Sequence, residues 1–223
     1  MLNVTLMAND TKPWAHLRLK DRIRPGVRVL FVGINPGVRS AETGHHFAGY
    51  SNRFWKLLYE SGLVPEPISY RDDGRLPEWG FGVTNLIARP SPGIDDLEPA
   101  EYLKGWSVLE RKIKKFKPGV VAFVGVTLYR SFCLRADATN GKKLCVGIQP
   151  QTIQGARVFV LPNPSGRNAN FSYAEMLAAF GRLRTAVRSR RARAGAKGAR
   201  GADGANGAGA RGANGAKGAD ARC

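Results

Sequence analysis

Val27-Arg-Val-Leu-Phe-Val-Gly-Ile-Asn-Pro-Gly37 is an apolar, β-branched run that breaks into a turn bounded by glycine and proline. The first part, Val27–Val32, has the length and branching of a buried strand ending in Gly33. The rest, Gly33–Gly37, combines a proline-fixed turn, glycines that let a ligand approach the backbone, and one polar side chain, Asn35.

Outward from this segment, short aliphatic runs alternate with helical patterns. Asn52–Ser61 reads as a helix with Phe54, Leu57 and Leu58 on one face, and Phe81–Leu86 reads as a second short strand. Glu101–Phe116 is an amphipathic helix ended by Lys117-Pro118-Gly119, and Val120–Val124 is the next strand. Val126–Cys133 suits a short helix, Arg157–Leu161 is the last strand, and Ser172-Tyr-Ala-Glu175 is a capping box opening a final helix toward Arg188. Strands separated by helices imply βαβ crossovers. The expected fold is an α/β three-layer sandwich around a central, mainly parallel sheet of four to five strands. Its site should lie at the carboxyl ends of the strands. Two loops leave that edge, Gly33–Gly37 and Asn163-Pro-Ser-Gly-Arg167, and neither has the glycine-rich pattern that cradles nucleotide phosphates.

The chain has 223 residues, with 35 Lys+Arg against 17 Asp+Glu, a net charge of +18 that points to a polyanionic partner. At 43% apolar residues it can bury a core, which excludes wholesale disorder. No apolar stretch is long enough to span a membrane, and Met1–Lys20 lacks the apolar centre of a signal peptide, so a cytoplasmic, nucleoid-associated protein is expected. Three cysteines without a C-x-x-C pair argue against a thiolate zinc site or an iron–sulfur cluster, and no metal or cofactor is expected. Residues 1–19 form an N-terminal extension, 20–188 a folded domain, and 189–223 a Gly/Ala-rich basic tail. From Arg188 on, seven Arg and two Lys face two Asp, so this end carries 9 − 2 = +7. With nothing to bury, it is expected to be disordered, either as a solubilising appendage or as a tether that releases DNA counterions.

Five blocks in order, Gly33-Ile-Asn-Pro-Gly37, Gly44-His-His-Phe47, Asn52-Arg-Phe-Trp55, Gly82-Val-Thr-Asn-Leu86 and Leu161-Pro-Asn-Pro-Ser-Gly166, resemble the mismatch-specific uracil and thymine DNA glycosylases, a branch of the uracil-DNA glycosylase superfamily. The resemblance runs from about Val27 to about Arg184. It implies a monofunctional glycosylase, acting as a monomer on mismatched duplex DNA and leaving an abasic site in base excision repair. It also implies that Asn35 positions the attacking water, that Phe47 stacks on the flipped base, and that the Ile34 N–H meets a uracil carbonyl. Ser40 would sit near the base C5 edge. An amide is no general base, and an Asp at position 35 would be expected to raise the rate.

In the second loop Asn163 stands where the context-independent branch has a histidine, so it offers the departing base only a neutral hydrogen bond. Ser165, Gly166 and Arg167 are assigned to the DNA backbone and wedge. Arg167 takes the place of the wedging leucine of bacterial relatives, where it can fill the hole left by the base or donate to the orphaned guanine. The Gly44-His-His spelling is closer to the thymine-active branch, which adds His46 as a contact to base or phosphate; His45 reads as a plain loop residue. The lysines of Arg111–Lys117 read as the solvated face of an amphipathic helix. Two other functions compete: an architectural DNA-binding protein whose glycosylase-like domain is inert, and a nucleotide-handling enzyme, which the missing phosphate loop disfavours.

Overall fold

A computed structural model describes residues 12–135 and 145–199, with side chains to Arg188. The apolar run forms β1 (Val29–Gly33), buried at every position. It is followed by α1 (Val38–Thr43), α2 (Phe54–Glu60) and a 3-10 segment, Tyr70–Trp79, that opens on a Ser69/Asp72 capping box. Then come β2 (Phe81–Asn85), α3 (Pro99–Phe116), β3 (Val120–Val124) and α4 (Val126–Arg135). The chain closes with β4 (Gly147–Ile153), β5 (Ala156–Leu161) and α5 (Tyr173–Ala199).

The strands form one sheet of five in the order β2-β1-β3-β5-β4. All neighbours are parallel except β4, which pairs antiparallel with β5 at the edge. The α/β sandwich and its mainly parallel sheet are as the sequence implied. Alternate strand residues explain the layers. Val29, Phe31, Val83 and Ala122 pack against α2 and α5, whereas Leu30, Val32, Val121 and Phe123 pack against α3 and α4.

β4 is the strand the sequence reading lacks. Only its ends are buried and it carries Pro150, which suits a sheet edge and gives no apolar run to recognise. The other difference is at the carboxyl end, where α5 continues to Ala199, eleven residues into the expected tail. Alanine and arginine are strong helix formers, and they carry the backbone past Gly195 despite the cost of about 1 kcal/mol that glycine imposes. The tail beyond Ala199 and residues 1–11 lie outside the described residues.

Connections from β1 pass to the α1/α2 side and those from β3 to the α4 side. The carboxyl ends of these neighbouring strands are therefore the switch point where such sheets hold ligands.

Candidate active site

The carboxyl edge gathers the loops after β1, β2 and β5. Loop 33–37 is tied to the chain after β2, since the Leu86 and Ile87 N–H groups donate to the Gly33 and Ile34 carbonyls at 2.9 and 2.8 Å. The Ile34 N–H has no hydrogen-bond partner among the described residues, which leaves a backbone donor at the edge.

Asn35 is half-buried, and its amide nitrogen donates to Ser91 Oγ at 2.7 Å, the Pro36 carbonyl at 3.1 Å and the Arg89 carbonyl at 3.3 Å. Two hydrogens thus serve three acceptors, and Oδ1 is the end left over. The loop that supplies the acceptors is itself held: the Arg89 guanidinium makes two hydrogen bonds to Glu101, at 2.8 and 2.7 Å, and a third to the Asp96 carbonyl. That guanidinium holds the Glu101 carboxyl at about 2, well below the usual carboxylate range. The sequence gives Ser91 and Glu101 no role at the site, because a serine and a helix glutamate carry no signal of what they will touch.

Phe47 adopts φ 53°, a left-handed conformation that costs a non-glycine residue about 1–3 kcal/mol. Hydrogen bonds on either side hold it there. The His46 N–H donates to Asp73 at 3.0 Å, and Trp55 Nε1 donates to the His46 carbonyl. Beyond it, the Ala48 N–H donates to Ser40 Oγ at 3.0 Å and Arg39 Nε donates to the Ala48 carbonyl. The Phe47 ring stacks on Phe54, centroids 4.0 Å apart, and its edge reaches the space beside Gly33.

The same space meets Asn85, whose Oδ1 lies 2.6 Å from where a Cβ on Gly33 would stand. Its carboxamide is half-buried and has no hydrogen-bond partner among the described residues. An unengaged amide beside an aromatic ring can read the edge of a planar, hydrogen-bonding ligand. The signal was present in the sequence as a polar residue closing a buried strand, and it passed unassigned.

Ser40 is buried, and its hydroxyl serves the Ala48 N–H, so the structure gives it the task of shaping the Phe47 turn. His46 requires a correction. It was expected at base or phosphate, but it is 1% exposed with Nε2 donating to the Lys20 carbonyl at 3.0 Å. Burial pushes its pKa below the ordinary value, partly opposed by that hydrogen bond and by Asp73. Its ring is packed beneath the turn, with Nε2 committed to the Lys20 carbonyl. His45 bonds Asp73 through Nδ1 at 3.1 Å, and Arg22 Nε bonds the same carboxylate at 3.0 Å. Lys112 also departs from its expected solvated face, reaching Asp21 at 2.6 Å and Thr84 at 3.0 Å.

The second loop is exposed. Asn163 Oδ1 accepts the Ser165 N–H at 3.0 Å, leaving Nδ2 as its donor, and the Arg167 N–H donates to Ser165 Oγ. Gly166 lies so close to Ser51 that a Cβ there would stand 2.4 Å from the serine Cβ. The Arg53 N–H donates to the Pro164 carbonyl, which fixes the loop over the start of α2. β1 and β5 flank β3, so the two loops leave the edge roughly 10 Å apart, room for one base. A cavity of about 420 Å³ adjoins Phe47, walled by Arg39, Tyr50, Trp55 and Tyr70; Asn35 is not among its walls.

A family model described as the uracil DNA glycosylase superfamily matches residues 21–184. The chain belongs to the uracil-DNA glycosylase superfamily. Enzymes of this superfamily hydrolyse the N-glycosidic bond of damaged bases in DNA, so DNA is the partner and an abasic site the product. A solution NMR structure from Methanosarcina acetivorans, described as a candidate uracil DNA glycosylase, superposes with a TM-score of 0.50 at 19% identity. It covers 75% of this chain and 98% of its own, and at that identity it speaks for the fold. Within this glycosylase fold, the matched residues take in both edge loops, the Phe47 turn and Asn85.

Proposed function

We propose that this superfamily member removes uracil, and thymine more slowly, from mismatched duplex DNA, as a monomer at the chromosome in the cytoplasm. The observation that carries the reading is the unpartnered Asn85 carboxamide beside the Phe47 ring and Gly33, with the free Ile34 N–H one residue on. One aromatic face and a few neutral donors and acceptors match a pyrimidine. Extruding the base costs a few kcal/mol, and stacking on Phe47 returns ~1–3 kcal/mol.

Asn35 Oδ1 accepts a hydrogen bond from the attacking water and aims its oxygen at C1′. The C1′–N1 electron pair leaves with the base as an anion, met by the Ile34 N–H and by Asn163 Nδ2. The water proton passes to solvent, since an amide cannot keep it. With neutral groups only, the enzyme is slow and favours bases that leave readily. Arg167, at the exposed tip of the second loop, enters the vacated stack and donates to the widowed guanine.

Labelled duplexes containing U·G, U·A or T·G, and single-stranded U, are incubated with the full chain and then treated with alkali. Strand cleavage is expected fastest for U·G and slower for T·G. Equal rates for U·G and U·A would reject the mismatch preference. Tight DNA binding without cleavage of any substrate would favour an architectural protein.

A further inference from the structure

The edge of the sheet opposite the active site holds a second cavity, of about 480 Å³, walled by Arg28, Gly62, Leu63, Phe81, Arg184 and Arg188. Three guanidinium groups converge there and no carboxylate lines the wall. Arg28 is tethered, donating to the Trp79 carbonyl with its guanidinium 5.5 Å over the Phe81 ring. Among the described residues neither Arg184 nor Arg188 has an ion-pair partner, although Glu60, Glu66 and Glu78 all pair with basic residues. Arg184 Nη1 lies 2.5 Å from where a Cβ on Gly62 would stand, so the glycine admits the guanidinium to the cavity. Like charges gathered in a concave, half-apolar wall repel one another unless an anion joins them.

The course of α5 adds a second observation. The helix starts near the active-site edge, after the second loop, and runs antiparallel to β5. By Ala186, whose carbonyl accepts from Arg157 at the beginning of β5, it has crossed the sheet. Its backbone then continues to Ala199, a further ~20 Å at 1.5 Å per residue, away from the active-site edge. The sequence places Arg190, Arg191, Arg193 and Lys197 on that extension.

We propose that the Arg28/Arg184/Arg188 cavity forms a second DNA-backbone site, which holds a separate duplex segment while the opposite edge holds the damaged one. The ligand is a phosphodiester, bound through guanidinium forks without base readout. Two sites on opposite edges would let the protein pass between segments without full release.

A biotinylated U·G duplex is fixed on beads, the full chain is added, and retention of a fluorescent undamaged duplex is measured across a salt series. Bridging is expected. The Arg184→Gln/Arg188→Gln double variant is expected to lose it ~10-fold, with the salt slope shallower by about 2. Its single-turnover excision of uracil should stay within about twofold of the parent, which also reports that the variant folds. Arg188→Gln alone, on an exposed side chain, should give a slope shallower by about 1. Bridging equal to that of the parent in both variants, or no bridging by the parent, would overturn the second site while leaving the excision reading intact. Retention that inorganic phosphate abolishes at an ionic strength where sodium chloride does not would also overturn it, by identifying a small-anion pocket. A chain that bridges but never excises would fault the proposed activity alone.

Discussion

Asn35 donates its amide N–H to Ser91 Oγ at 2.7 Å, and Ser91, 2% exposed, stands fifty-six positions along the chain. The orientation of the Asn35 carboxamide is thus set from the loop after β2. Exchange of the amide ends would bring Oδ1 against the Pro36 and Arg89 carbonyls, so those acceptors and Ser91 together select which end faces the substrate.

Ser91→Ala removes the shortest of the three contacts and should loosen that orientation. A loss of about 1 kcal/mol, several-fold in the single-turnover rate, is expected with duplex affinity unchanged. Equal losses in rate and affinity would assign Ser91 to general loop stability.

Asn35→Asp looks favourable from the sequence, since a carboxylate can polarise water. The structure reverses the expectation at neutral pH. A carboxylate in this cradle would aim an oxygen at two backbone carbonyls, which raises its pKa and keeps it protonated. The variant should show no gain near neutrality and a rate that climbs as pH increases. A pH-independent acceleration in a stopped-time excision assay would contradict this.

Gly33→Ala places a methyl carbon 2.6 Å from Asn85 Oδ1 and 3.8 Å from the Phe47 ring. Displacing the Asn85 amide should lower excision of uracil by about 5- to 150-fold, because a desolvated amide that misses its partner costs ~1–3 kcal/mol. The melting temperature should change little, since a side-chain end and not the backbone must move. Unimpaired excision would remove Asn85 from base recognition.

His46 predicts an acid limit. Its pKa in the fold lies below 6.5, so beneath that value the unfolded chain binds more protons than the folded one. Stability therefore falls as pH drops through 6.5 and continues falling until the depressed folded value is passed. His46→Gln keeps a donor for the Lys20 carbonyl and does not titrate. Thermal melts should show a flatter acid slope for this variant, and an unchanged slope would place the acid limit elsewhere.

Legibility differed by element. Val29–Gly33 and Val120–Val124 were visible as apolar runs because strands buried on both faces are apolar throughout, and Phe81–Asn85 and Ala156–Leu161 as shorter runs interrupted by Thr84 and Arg157. The half-exposed β4 and the last turns of α5 were not, since an edge strand and a glycine-spaced helix lack that signature. Asn35, Phe47 and the 163–167 loop were legible from local motifs. Asn85 lies inside the Gly82–Leu86 motif without a role of its own there, while Ser91, Asp73 and Glu101 had no local signal.

By itself the sequence determined the layered fold, the edge where its two candidate loops leave the sheet, and the polyanionic partner, because burial period, turn chemistry and net charge are properties of short segments or of the whole composition. Only the tertiary structure decided which end of the Asn35 amide faces outward, that His46 lies buried beneath the Phe47 turn, and that Arg28, Arg184 and Arg188 meet at the far edge. Those facts depend on residues dozens of positions apart arriving at one place, and packing alone brings them there.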